Sequence, residues 1–421
     1  MCAGWGFRPG RQAALVEAQP LIDRWPEAPA IARGAGRAYG DAALSDTLLS
    51  TRQLDALIAF DSKAGTLVCE AGLSLAELLE VTLPRGWILP VIPGTRFVSV
   101  GGAIAADIHG KNHHHQGAFS SAVVWLDLLL PGQGIVRVEP GEPLFLATCG
   151  GMGLTGLVVR VALQLLPAAS AEVDWQRLPC SDLEQLRALS DKHASDTYSV
   201  AWLDLSGKQA MRGGSLGVGE LADDGNTQVK WQSSLPLPPL ADWFVSDTTM
   251  RLANDFLRWR EMRHSRGRVS LEAFFFPLDR INRWNRLYRR GLLQYQFVVP
   301  ENSSSVAIGE LLDRLARSSA RPYLSVWKRM GAANDNWLSF PMAGETLAMD
   351  FPRRPDVLKL FNDFDSIVAE HGGRVYLAKD ARLSVDMFRA MYPNWTSLAE
   401  LRESMGLAGT VVSDLSTRLQ L

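Results

Sequence analysis

The chain has 421 residues, 47% of them hydrophobic and 21% charged, with 43 basic against 45 acidic side chains and a formal net charge of −2. That length is long for a single core, so two domains, or one domain with a large insertion, are expected, and the balanced charge excludes nucleic acid as the obvious partner. The scattered cysteines Cys2, Cys69, Cys149 and Cys180 form no CxxC pair and read as reduced thiols of a cytoplasmic protein. The N-terminus lacks the apolar stretch of a signal peptide, and no apolar run approaches the ~18 residues of a membrane span. A soluble chain is expected, one that can still sit on a membrane surface. Thirteen tryptophans are more than average. Core filling is the favoured reading for them, a large apolar or sugar ligand the second.

The first 30 residues read as an entry loop around Trp5 and a helix-like stretch ending in the proline-rich WPEAPA. In the following RGAGRAYGD, Gly34, Gly36 and Gly40 let backbone N–H groups approach a phosphate, and Arg33 and Arg37 supply positive charge; a plain glycine-rich turn fits as well. From Leu48 to Leu130 short β-rich runs alternate with a few short helices such as SLAELLEVTLPRG, which suggests an α+β domain. In EPLFLATCGGMGLTGLVVRVALQLLP, Gly151, Gly153 and Gly156 match GxGxxG. A Rossmann site needs a strand before the glycines and a helix after them, whereas here the order is reversed. The loop is therefore kept as a cofactor contact and the Rossmann reading rejected. After Pro167 the character changes, with helix-like SDLEQLRALSDKHA, strand-like YSVAWLDLSG and YQFVVP, and a polar, glycine-bearing stretch from Arg212 to Thr227 that reads as a mobile connection inside a second domain. From Arg374 onward a strand, a loop carrying Lys379 and helices are expected.

The densest chemistry lies in PGTRFVSVGGAIAADIHGKNHHHQG, residues 93–117, which holds four of the seven histidines. His109 and His113 have the i, i+4 spacing of a helical metal pair, but Gly110 disfavours a helix there and no acidic or cysteine ligand follows, so no metal is expected. A solvent-exposed polar loop is one reading. In the other, Gly101 and Gly102 pack against a flat cofactor while His109, Lys111 and Asn112 donate to it and to a substrate.

PGTRFVSVGGAIAADIHGKNHH, RGAGRAYGD, GGMGLTG, YSVAWLD, YQFVVP, YLAKDAR and FRAMYP resemble, in order, segments of the decaprenylphosphoryl-ribose 2′-oxidase family, flavoproteins of the vanillyl-alcohol oxidase superfamily. The resemblance runs from Trp5 to the C-terminal DLSTRLQL. It implies a two-domain α+β architecture of the PCMH type, with an FAD-binding domain of residues 1–167 closed by 374–421 and an inserted sheet-plus-helices substrate domain of residues 168–373. Carried over position by position, Arg33, Gly34, Ala35, Gly36, Arg37, Tyr39 and Gly40 would cradle the FAD pyrophosphate. Pro93, Gly94, Thr95, Gly101, Gly102 and Ala103 would line the flavin, with His109, Asn112, Gly153, Gly156 and Lys379 completing the cofactor contacts. Arg37 stands where covalent flavoproteins of this superfamily often have a histidine, so the FAD is expected to be non-covalent.

For catalysis the resemblance points to Lys379 first, then His109 and Lys111, and for substrate contact to Lys111, Gln296, Gln294 and Phe275. Gln294 and Gln296 are expected not to share one face of their strand, with Gln296 preferred. The sequence departs from the family at Ala348 and Ala106, where cysteines stand, and at Phe275, where a tyrosine stands near the flavin. The implied activity is FAD-dependent oxidation of the 2′-hydroxyl of a polyprenyl-phosphate-linked ribose. That would be the first half of an epimerisation to arabinose, completed by a short-chain NAD(P)H-dependent reductase. An alditol or aldonolactone oxidase acting on a soluble polyol is the alternative, and a non-catalytic flavin-binding scaffold a third reading.

Overall fold

In the computed structural model, residues 2–7, 9–18, 24–207, 211–236, 246–288 and 290–421 are described. The alternating apolar residues of Val123–Leu130 and Leu157–Gln164 make them the middle of a five-stranded antiparallel sheet, flanked by Gly134–Val138 on one side and by Thr66–Glu70 and Leu57–Asp61 on the other. Beside it lies a three-stranded parallel sheet ordered Ala14–Glu17, Thr47–Ser50, Ala30–Arg33. The helix-like reading of the N-terminal stretch is corrected here: Ala14–Glu17 is extended because it pairs in parallel with Thr47–Ser50, a long-range partner that overrides local propensity. The rest of that reading, residues 19–23, lies outside the described residues.

The expected helix Leu75–Thr82 forms, starting at Ser74 with a reciprocal capping box to Glu77, whereas Val100–Ala105 is a helix where none was expected, started by Ser99, whose hydroxyl accepts from Gly102 N at 3.3 Å. Pro143–Thr148 precedes the glycine loop and Leu157–Gln164 follows it, helix before and strand after.

A second, eight-stranded antiparallel sheet starts at Glu172. Its order is Ser265–Ser270, Glu172–Cys180, Gly214–Leu221, Tyr198–Leu203, Leu324–Met330, Gly344–Pro352, Leu292–Pro300 and Arg374–Val375. The Arg212–Thr227 stretch is thus no mobile connection, since Gly214–Leu221 is an interior strand. Its glycines answer to packing: a Cβ on Gly219 would come within 2.9 Å of Val173 Cγ1 and 3.1 Å of the Phe274 ring. One face of this sheet buries Tyr295, Phe297, Leu347, Met349 and Phe351 with residues of the helices Glu301–Arg317 and Pro355–Glu370. The opposite face looks into a cleft shared with the first half of the chain. The protein is a two-domain α+β fold whose last residues return to the first sheets: Ala30 N bonds to Thr410 O at 3.0 Å and Val412 N to Ala30 O at 3.0 Å. Among the described residues no helix is long and apolar enough to cross a membrane.

Candidate active site

The cleft encloses about 1850 Å³ of atom-free space, its mouth included, between the glycine-rich loops and the free face of the eight-stranded sheet. On the loop side it is lined by Gly34, Ala35, Gly36, Arg37 and Tyr39, by Pro93, Gly94, Thr95, Gly101 and Gly102, and by Gly153 and Gly156. Gly36 (φ 65°) and Gly153 (φ 80°) adopt left-handed backbone open to glycine, and Gly36 has a second reason, since a Cβ there would meet Arg33 Nη2 at 2.6 Å. The Arg37 guanidinium lies over the Trp5 and Phe97 rings at 4.2 and 5.1 Å, while its Nε is buried with no hydrogen-bond partner among the described residues. A buried guanidinium with an unused donor, beside loops stripped of side chains, fits the diphosphate of FAD.

The sheet side is polar by register. Gln296 pairs with Ala348 and Gln294 with Asp350, while Val326 and Leu324 face the same two positions from the other neighbouring strand. Side chains two apart share a face of a pleated strand, so Gln294 and Gln296 both line the cleft, which corrects the expectation that they would not. The same alternation on Leu324–Met330 aims Leu324, Val326 and Lys328 inward.

Lys328 was not anticipated, and it holds the centre. Its Nζ lies 2.7 Å from His109 Nδ1 and 3.3 Å from Gly110 O, and His109 Nε2 lies 2.9 Å from the Gln296 amide nitrogen. Burial pushes the Lys328 amine down to about 7, with Lys111 and Lys379 adding repulsion. Burial likewise holds His109 well below the usual imidazole range, with Lys328, His113 and Lys379 adding to the effect, so the ring is neutral. A neutral imidazole carries one N–H. With the Gln296 NH₂ donating to Nε2, that proton sits on Nδ1 and points at Lys328; turning the amide over reverses both bonds. The signal available in the sequence was a lysine set into an otherwise apolar alternation, Leu324, Val326, Lys328.

Lys379 also lines the cleft, its ammonium 4.0 Å over the Tyr39 ring. Burial lowers it to about 8, opposed by the negative charge of Asp350. Asp350 is itself raised to about 6 by burial and accepts from the Gln294 amide. Lys379 is carried on a tight turn in which Asp380 accepts from the backbone of Arg382 and Leu383 at 3.0 and 2.9 Å.

Six anticipated residues do not line the cleft. Arg33 donates to Ala43 O and Ala3 O at 2.8 and 2.7 Å, tying the entry segment down. Gly40 serves packing, since a Cβ there would lie 1.7 Å from Asp380 O. Ala103 is wholly buried in its helix, and Asn112 Nδ2 donates to Pro90 O at 2.8 Å while its Oδ1 is buried without a partner among the described residues. Lys111 donates to Phe274 O and lies 4.2 Å over the Phe274 ring, which places it behind the cleft; burial alone lowers its amine to about 7. Phe275 is a core residue, edge-on to Tyr198 at 4.9 Å and to Phe274 at 5.0 Å. Ala106 and Ala348 both line the cleft.

The histidine-rich segment, in which His113–Gln116 forms a short helix rather than the expected loop, is tied down by hydrogen bonds. Asp107, fully buried, accepts from Ser120 N at 2.9 Å, Ser339 Oγ at 2.6 Å, Asn334 Nδ2 at 2.7 Å and Asn336 Nδ2 at 3.1 Å, so it clamps the loop to the far domain. His113 Nδ1 accepts from Gly331 N at 3.0 Å, and His114 Nε2 lies 3.0 Å from Asp196 O. These two histidines therefore serve the clamp.

A family profile described as an FAD binding domain matches residues 18–139, and one described as D-arabinono-1,4-lactone oxidase matches residues 285–419. The chain is 36% identical to a decaprenylphosphoryl-beta-D-ribose oxidase of Mycolicibacterium smegmatis over 93% of its length and 89% of that protein. It is 33% identical to an uncharacterized protein of Streptomyces coelicolor over 83% of its length and 100% of that protein. An L-gulonolactone oxidase of Scyliorhinus torazame is 23% identical over 90% of this chain and 87% of its own.

Proposed function

Given that the chain belongs to the decaprenylphosphoryl-ribose oxidase family, and is an FAD-dependent oxidoreductase acting on a hydroxyl donor, we propose that it oxidises the 2′-hydroxyl of a polyprenyl-phosphate-linked ribofuranose to the 2′-keto sugar. For that reading we divide the chain into an FAD domain of residues 1–167 and 374–421 and a substrate domain of 168–373. Bound FAD supplies the hydride acceptor. The chain supplies the base: Lys379, brought to near-neutral basicity by burial, takes the hydroxyl proton as the carbon loses its hydride, which leaves a ketone. Lys328 and His109 hold the sugar oxygen, and Gln296 fixes the imidazole tautomer. Gln294 keeps Asp350 in place beneath the Lys379 amine.

The observation that carries the lipid-linked substrate over a soluble polyol is the rim. Trp5, Trp284 and Leu278 line the cleft and stay only half-buried, giving an apolar lip where a polyol oxidase needs a closed polar pocket. A short-chain NAD(P)H-dependent reductase would complete epimerisation of the keto product.

Anaerobic mixing of the holoenzyme with polyprenylphosphoryl ribose is expected to bleach the oxidised-flavin absorbance. Bleaching by an aldonolactone or alditol, with none by the lipid-linked ribose, would overturn the substrate. A buried lysine with a lowered pKa is neutral above that value, so activity is present at high pH and lost as pH falls. The bleaching rate is therefore expected to rise through a midpoint near 8; a flat profile would contradict a lysine base. Acid precipitation is expected to release all the yellow colour, because Arg37 offers no covalent attachment for the flavin.

A further inference from the structure

The helix Asp247–Glu261 presents its apolar stripe outward. Leu252, Phe256 and Trp259, at i, i+4 and i+7, are 64%, 65% and 55% exposed, and the Phe256 and Trp259 rings stack at 5.8 Å. Folded monomers seldom leave such a ridge in water. Its surroundings are positive: residues 246–268 hold six arginines and three acidic residues in a chain whose net charge is −2. Two of the acids are already engaged. Glu261 is buried and takes Ser215 Oγ, Arg177 and Arg260, and Asp255 takes Arg212. Arg263 lies 3.8 Å over Trp259, and Arg251 and Arg266 are exposed with no ion pair among the described residues. The first turn of the helix lies beside the cleft, since Met250 packs on the buried cluster of Tyr39, Tyr288, Leu292 and Tyr323 against which Trp5 and Trp284 of the rim also pack.

We infer that this helix is an interfacial anchor that docks the protein on an anionic lipid bilayer, with Leu252, Phe256 and Trp259 entering the headgroup boundary and the arginines on lipid phosphates. Aromatic and leucine side chains on one stripe with arginine on its flanks are what an interfacial helix uses. The excess of arginine over acid along the helix selects anionic lipid as the occupant. The inference rests on the lipid-linked reading of the substrate for its purpose: the anchor would set the cleft's apolar lip at the surface from which such a substrate is drawn.

The test uses the holoenzyme with vesicles of phosphatidylcholine, with and without phosphatidylglycerol. Co-sedimentation is expected only with phosphatidylglycerol, weakened by salt. It is expected to fall about tenfold or more in Phe256→Ser/Trp259→Ser and in Arg251→Gln/Arg263→Gln. Both variants are expected to keep wild-type turnover of a short-chain, water-soluble polyprenylphosphoryl ribose and to lose rate on a long-chain substrate embedded in the vesicles. Binding that is equal on neutral vesicles, or unchanged in the variants, overturns the anchor. So does a dimer in solution that these substitutions dissociate, because the ridge would then belong to a second copy. If the wild type oxidises neither lipid-linked substrate, the substrate reading fails, and the vesicle measurements still decide the anchor.

Discussion

Lys379→Ala is expected to retain FAD and its visible spectrum while kcat/KM for flavin reduction falls by about 10²- to 10⁴-fold, the range for loss of a positioned general base. Three lysines are buried in or beside the cleft, yet their surroundings separate their roles. Lys111 is spent on Phe274, and Lys328 is bonded to His109 and Gly110, whereas Lys379 rests on the Tyr39 ring with Asp350 as its charged neighbour. Lys379→Arg sharpens the test. A guanidinium keeps the positive charge but stays protonated at every accessible pH. If Lys379 acts as base, arginine is as inactive as alanine; if it supplies only charge beside the flavin, arginine restores much of the rate. Wild-type turnover by Lys379→Ala would move the base to Lys328.

The second large effect is expected at Arg418, which never touches the cleft. Its guanidinium takes both oxygens of Asp41 at 2.7 and 2.9 Å, reaches Asp380 at 2.9 Å and donates to Leu383 O at 2.7 Å. Asp41 and Asp380 are both buried, so Arg418→Ala strands two carboxylates away from water. Breaking such a pair costs about 3–5 kcal/mol, visible as a lowered midpoint in thermal or denaturant unfolding of the holoenzyme. Asp380 shapes the turn that presents Lys379, so kcat is expected to fall with little change in KM. Arg418→Lys, which restores one charge without the two-pronged grip, is expected to recover stability more than kcat. An Arg418→Ala enzyme as stable as the wild type would show that the cluster is not what holds the turn.

Much of this site was legible because glycine carries a physical message. The loops of residues 34–36, 93–95 and 101–102, and Gly153 with Gly156, all line one cleft, and small residues are what leave room there for a bulky cofactor. The misses have a common cause: identity in a motif says nothing of the direction in which a side chain points. Phe275, expected at the substrate although the resemblance puts a tyrosine there, turns into the core against Tyr198, and Lys111 turns back to Phe274. Gln294 and Gln296 were separated although the pleat unites them. Lys328 lay hidden because a lone lysine in a strand usually faces water; only pairing with Gly344–Pro352 and Tyr198–Leu203 makes its strand interior. The glycines of Gly214–Leu221 looked like slack for the opposite reason, as their partners Val173 and Phe274 are far away in the chain.

The contact between Gly40 and the Asp380 carbonyl sets an order of events at synthesis. The first glycine loop leaves the ribosome early, whereas Lys379, on the far side of the cleft, lies more than three hundred residues later. Until that last segment emerges, the three parallel strands lack the Ala30–Thr410 and Ala30–Val412 bonds that seal their edge, and the cleft has no wall on the Lys379 side. A nascent chain can therefore display the glycine loops without being able to enclose a flavin.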